Sequence, residues 1–169
     1  MPRARSVSRR LACAALALAA GGLAGAAPPA APPSLLVEGP ADAGGRRHSV
    51  RLTLADLEAL PQHAFRTQSP WTRQARLYAG PLLRDVLRRA GASGGRTIRA
   101  VALNDYQIDI PVEDARLDVI VAVRIDGRTI PVRERGPFFV IYPFDLRPEL
   151  RHPRYYERSI WQLKSMRID

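Results

Sequence analysis

From residue 34 onward the apolar positions fall into short runs, and only one stretch recurs at helical spacing. Runs at 35–38 and 50–53 predict two strands flanking a Gly44-Gly45 turn. Thr53-Leu54-Ala55-Asp56 then reads as a helix start. Thr53 is the cap, an acid follows three residues on, and Pro61 keeps the helix brief. Residues 64–68 predict a strand that runs into Ser69-Pro70-Trp71. Leu82, Leu83, Val86, Leu87 and Ala90 form one stripe, with Arg84, Asp85, Arg88 and Arg89 off it. That spacing predicts a helix over 81–90, opened by Pro81 and closed by Gly91.

Beyond Gly91 the rhythm is mostly that of strands. Residues 98–103 and 106–110 alternate around an Asn104-Asp105 turn. Pro111 with Glu113-Asp114 predicts another short helix. An apolar strand at 119–125 meets Asp126-Gly127, a strong two-residue hairpin signal, and 129–132 returns from it. The apolar run 138–142 predicts a central strand. Residues 160–168 predict a closing strand, with Ile160, Gln162, Lys164, Met166 and Ile168 on one face and Trp161, Leu163, Ser165 and Arg167 on the other. No internal repeat is present. The class is α+β, a mixed or antiparallel β-sheet core with a few short helices.

The first residues follow neither rhythm. Arg3, Arg5, Arg9 and Arg10 precede an apolar run at 11–23, and Ala24-Gly25-Ala26 suits a small-residue cleavage rule. Residues 1–26 thus read as a signal peptide, 27–33 (Ala-Pro-Pro-Ala-Ala-Pro-Pro) as a Pro-rich linker, and 34–169 as one domain. The apolar run is short for a membrane span, so a periplasmic or secreted protein with no stable span after cleavage is expected. Ser8-Arg9-Arg10 is a weak twin-arginine signal. The only cysteine, Cys13, lies in this leader and comes too early for a lipoprotein site. Cleavage would take the formal charge from +10 to +6 and leave no thiol for a disulfide, a nucleophile or a metal. The basic residues are scattered arginines near Asp or Glu, with Lys164 the single lysine. That is not the stripe with interleaved aromatics a nucleic-acid partner requires.

Three segments carry a resemblance. They are Leu52-Thr53-Leu54-Ala55-Asp56-Leu57-Glu58-Ala59-Leu60-Pro61, then Gly80-Pro81-Leu82-Leu83-Arg84-Asp85-Val86-Leu87, then Val101-Ala102-Leu103-Asn104-Asp105-Tyr106 through Asp126-Gly127 to Gly136-Pro137-Phe138-Phe139-Val140-Ile141-Tyr142-Pro143. In this order, with the Trp161 strand behind them, they resemble the molybdopterin-binding domain of the sulfite oxidase type. The chain is also similar to small exported proteins of that fold. The resemblance implies molybdopterin as the cofactor. It also implies a cysteine thiolate on molybdenum, about a dozen residues before the Gly-x-Pro-Leu-type helix start. Counting back from Gly80 reaches Gln68 and Ser69, and neither supplies a thiolate. Phe139 stands near the place where the family has an arginine for the cofactor phosphate.

Candidate cleft residues follow from these segments. Gln68, Ser69 and Trp71 would floor and wall a pocket where the metal would sit, or merely form a strand exit with a buried Trp. Asn104, Asp105 and Tyr106 match a turn that borders the cofactor in the family, or form a plain hairpin turn. Arg133 and Arg135 flank Glu134 before Gly136-Pro137, as an anion cradle or a solvated turn. Tyr142 to Asp145 and His152 to Tyr156 form an aromatic region that would line a pocket or cover a sheet edge. His48, His63 and His152 lack ligand-like spacing, and Ser69 lacks a Gly-x-Ser-x-Gly context. No catalytic residue and no metal ligand is assigned. Three readings stay open: a non-catalytic domain binding a small ligand or an exported or membrane-bound protein partner, an oxidoreductase subunit holding molybdopterin without a cysteine ligand, and an interaction module for an exported or membrane-bound sensor.

Overall fold

The computed structural model describes residues 32–92 and 94–169. The signal peptide, Cys13 and most of the Pro-rich linker lie outside the described residues. β1 (Ser34–Ala41) returns through a turn in which the Asp42 carboxylate accepts from the Gly44 and Arg46 N–H groups, leading into β2 (Arg47–Thr53). Thr53 caps α1 (Leu54–Glu58) through the reciprocal box the sequence predicts. Its hydroxyl accepts from the Asp56 N–H, and the Asp56 carboxylate accepts from the Thr53 N–H. β3 (Gln62–Thr67) pairs with β4 (Arg76–Pro81) across a long connection that carries Trp71.

α2 (Leu83–Arg89) starts two residues later than the sequence predicts. Pro81 stays in β4 opposite Gln62, and Leu82 bridges Ile120. The chain is held extended until the Leu83 N–H reaches the Val119 carbonyl at 2.8 Å, a tertiary partner in place of a side-chain cap. The far end agrees with the sequence. Gly91 sits at φ 64, and the Gly91 and Ala92 N–H groups bond the Arg88 and Leu87 carbonyls, which is a Schellman cap.

β5 (Thr97–Ala102) and β6 (Gln107–Pro111) enclose the Asn104-Asp105 turn, with Asp105 in the left-handed region at φ 62. The helix expected after Pro111 is a 3-10 turn, Val112–Arg116. The single strand expected at 119–125 is instead β7 (Ile120–Ala122) and β8 (Arg124–Ile125), because the chain changes partner at Val123. Asp126 and Gly127, both at positive φ, make the tight turn into β9 (Arg128–Thr129), and the rest of the expected return is a 3-10 turn, Val132–Glu134. β10 (Phe139–Ile141), α3 (Pro153–Arg158) and β11 (Leu163–Ile168) complete the chain.

One sheet runs β2-β1-β11-β5-β6, with β1 and β11 parallel and the other pairs antiparallel. A second runs β3-β4-β8-β9, and β10 pairs with β7. The class is α+β, as expected. β10 is fully buried but is not the middle of a large sheet. Its edge away from β7 bonds residues at and before the start of β11, Val140 N–H to Ile160 O and Leu163 N–H to Phe138 O. β11 also departs from simple alternation. Leu163 is buried along with Met166 and Ile168, because a bulge between Leu163 and Ser165 shifts the pleat by one residue. The helix α3 was not expected. Pro153 opens it and the His152 side chain accepts from the Arg154 N–H. One apolar cluster joins the sheets and helices, from Leu35, Val37 and Ile98 through Val86 and Leu87 to Val121, Phe139 and Met166. Each such buried side chain contributes about 1.5–3 kcal/mol.

Candidate functional site

The exit from β3 is clamped rather than open. Thr67 is fully buried, and its hydroxyl accepts from the Asp145 N–H at 3.1 Å. The Asp145 carboxylate in turn accepts from the Gln68 N–H at 2.9 Å and from Arg151 Nη2 at 2.7 Å. Ser69 is buried, its N–H donates to Thr72 Oγ1, and the two hydroxyls lie 3.1 Å apart. Thr72 N–H closes the turn on the Ser69 carbonyl. Ser69 thus offers a hydroxyl already engaged within its own turn. Burial pushes the neighbouring Tyr78 phenol above its ordinary pKa, while the Ser69 hydroxyl and the Arg135 and Arg76 charges pull it back.

That turn delivers Trp71 to an aromatic cluster. Its ring meets Trp161 edge-on at 5.2 Å and lies 6.3 Å from both Phe139 and Tyr156. Phe139 is fully buried against Tyr78 and Trp161 and presents no donor to a ligand. Beside the cluster opens a cavity of about 410 Å³ walled by Trp71, Trp161, Tyr156 and Tyr106, with Asn104 and Glu157 bringing polar groups to it. This volume lies in the range of small-molecule pockets. Both tryptophans of the chain line it.

α3 forms one wall of the cavity and is tied down from beneath. The buried Asp114 carboxylate accepts from Tyr142 Oη at 2.7 Å and from Arg158 Nη1 at 2.9 Å. Burial, followed by the Asp114 charge, holds Tyr142 protonated far above its ordinary pKa. Tyr155 packs on the Tyr142 ring and Tyr156 on Phe144.

The expected site residues separate into groups. Trp71, Asn104 and Tyr106 share the aromatic cavity. Gln68 and Ser69 line a smaller recess of about 230 Å³ with Asp145 and Arg151. Arg133 and Arg135 border a third, larger cleft with Thr72 and Arg76. Asp105 lines none of the three and pairs with Lys164 at 3.2 Å. Sequence reasoning offered the 152–156 region as a pocket lining or a sheet-edge cover, and Tyr156 does line the aromatic cavity. It missed Glu157, Ser159 and Trp161 as cavity walls, and the Pro153 helix start was the signal available. Among the described residues no three His, Asp or Glu side chains converge as a metal site. No helix there is long and apolar enough to cross a membrane.

Residues 41–144 match the family described as the oxidoreductase molybdopterin binding domain. The chain belongs to this family. The fold of this oxidoreductase molybdopterin binding domain is also found in the crystal structure of the sulfane dehydrogenase SoxCD from Paracoccus pantotrophus. That match has a TM-score of 0.59 and 17% sequence identity over 80% of this chain. It spans 38% of the SoxCD chain, and at this identity the likeness is one of fold. No curated protein matches the chain.

Proposed function

We propose that this molybdopterin-binding-type domain is an exported, non-catalytic module that binds a small planar ligand in the cavity beside the Trp71–Trp161 pair. The observation that carries the reading is the donor set at the end of β3. Molybdenum in this fold calls for a soft thiolate, and Gln68 and Ser69 bring an amide and a hydroxyl to that place. The Ser69 hydroxyl is already committed to Thr72. Phe139, near the place where the resemblance implies a phosphate-binding arginine, is sealed in the aromatic cluster. The residues present therefore do not fit the molybdenum end of the cofactor. What they keep is a flat-walled cavity suited to stacking a ring, with Asn104 and Glu157 to orient it.

The test is made on protein purified from its native host. Elemental analysis and pterin fluorescence after denaturation are expected to find neither molybdenum nor molybdopterin at stoichiometric levels. Finding both would overturn the reading in favour of an oxidoreductase subunit that holds the cofactor without a cysteine. On the positive side, neopterin, a soluble pterin with no metal-binding dithiolene, is expected to quench the tryptophan emission saturably. Trp161→Leu should weaken that binding by about tenfold, the scale of one lost stacking contact.

A further inference from the structure

We infer that the cleft beside the β8–β9 hairpin is a second binding site, separate from the aromatic cavity, for a small doubly charged oxyanion. The cleft holds about 740 Å³ between β4, the hairpin and the 132–134 turn. Four arginines reach it, Arg76, Arg128, Arg133 and Arg135, against two carboxylates, Asp126 and Glu134. Arg76 is paired with Asp126 and Arg133 with Glu134. Among the described residues neither Arg128 nor Arg135 has a carboxylate partner. The excess is two positive charges facing one concavity, which matches a dianion. The hydroxyl of Thr129 stands in the same wall as an additional donor, while that of Thr72 is engaged with Ser69.

Arg135 is set in place before any ligand arrives. Its backbone lies in the left-handed region at φ 77, a conformation that costs a residue other than glycine. The surroundings hold it there. Gly136 N–H bonds the Pro131 carbonyl, and the Arg135 carbonyl accepts from Gln162 N–H at 3.0 Å. A side chain at Gly136 would stand 1.7 Å from the Ile130 carbonyl, so only glycine lets the turn close this tightly. The guanidinium donates through Nη2 to the Trp71 carbonyl at 3.3 Å and lies over the Trp161 ring at 5.6 Å. One of its five N–H groups is thereby used, and the planar fork is fixed in orientation. Exposed arginines elsewhere, such as Arg66 and Arg116, have neither a cleft nor such bracing. A braced guanidinium opposite an exposed one, Arg128 on the hairpin, is the arrangement that grips two anionic groups, or two edges of one phosphate.

The test is calorimetric titration of the full exported chain at low ionic strength with two probes, inorganic phosphate and succinate. Saturable binding of either supports the inference. Phosphate alone narrows the ligand to phosphate esters, and succinate alone narrows it to dicarboxylates. Arg128→Gln, at an exposed hairpin position, should weaken binding by about tenfold, the scale of one charge-assisted hydrogen bond. Arg135→Lys should weaken it several-fold although the charge is kept, because the fork is lost. Arg51→Gln, on the edge of the other sheet, should change it less than twofold while removing the same charge. Binding of neither probe, or an equal loss in Arg51→Gln and Arg128→Gln, overturns the inference. Neopterin quenching in Arg128→Gln should match that of the unaltered protein, so either binding site can fail without the other.

Discussion

The five-stranded sheet and the region around β7 and β10 are built on different terms. In the sheet, strands alternate. Leu35 and Val37 in β1, and Ile98, Ala100 and Ala102 in β5, point into the core while their neighbours stay half-exposed. Its ladder runs in register for most of its length. Around β7 and β10 the strands are three residues long and buried on both faces, and backbones approach so closely that side chains have no room. The aromatic cavity opens where the end of β5 at Ala102 meets the loops that carry Trp71 and Trp161, and the arginine cleft lies along β4, β8 and β9. The regular sheet supplies stability, and the closely packed junction, with its irregular loops, supplies shape.

Phe139→Ala is the strongest way to sharpen that contrast. Removing the ring from a fully closed site should cost about 3–5 kcal/mol, read from the urea midpoint. Ile98→Ala in the regular sheet should cost a similar or slightly smaller amount, about 2–5 kcal/mol. The two differ in a second readout. Phe139 touches both tryptophans, so its loss should shift their emission in the folded protein, whereas Ile98→Ala should leave emission unchanged. If both variants shifted the emission alike, the two regions would not be packed independently.

Gly80→Ala comes next. An added Cβ would lie 2.0 Å from the Val121 carbonyl, inside the contact between β4 and β7. Neither backbone has room to retreat, because Val123 N–H is bonded to Ala79 O on one side and His63 pairs with Gly80 on the other. The expected cost is about 1–3 kcal/mol in the urea midpoint. Gly44→Ala, in the turn between β1 and β2, meets only the Asp42 carboxylate at 3.3 Å and should cost a few tenths of that. Equal costs would mean that the close approach at Gly80 is not a constraint.

The same division decides what the sequence could reveal. The Thr53–Asp56 capping box, the Asp126-Gly127 turn and the Gly91 helix end are local devices, and each lies where the sequence predicts it. The departures arise from distant partners. The phase of β11 shifts at the bulge between Leu163 and Ser165, and just before it Gln162 is held at φ 53 by its N–H on the Arg135 carbonyl and its amide on the Val132 carbonyl. Nothing within residues 160–168 announces those contacts. Pro81 carries a valid helix-start signal, but β3 and Ile120 keep the chain extended past it. The site obeys the same rule. Trp71 and the 133–135 arginines are visible as residue types, yet Trp161 and Tyr156 join Trp71 only through the fold.

The smallest expected effect concerns acid, and it probes the hairpin at the edge of the arginine cleft. The Asp126 carboxyl is held below the usual carboxylate range first by the Leu77 N–H at 2.9 Å and then by Arg76. A lowered folded-state pKa means that the folded state releases this proton more readily than the unfolded chain does. Its contribution is therefore fully present above the unfolded value, about pH 4, and is lost as the pH falls through the lower folded value. The carboxylate is close to half exposed, so solvent screens the pair and the contribution should stay under about 1 kcal/mol. Asp126→Asn retains the turn's tolerance of positive φ and removes the charge. It should flatten the stability curve only below about pH 4 and leave the value at pH 7 lower by that same small amount. A variant whose loss at pH 7 exceeded about 2 kcal/mol would mean that the hairpin anchors the junction rather than merely edging the cleft.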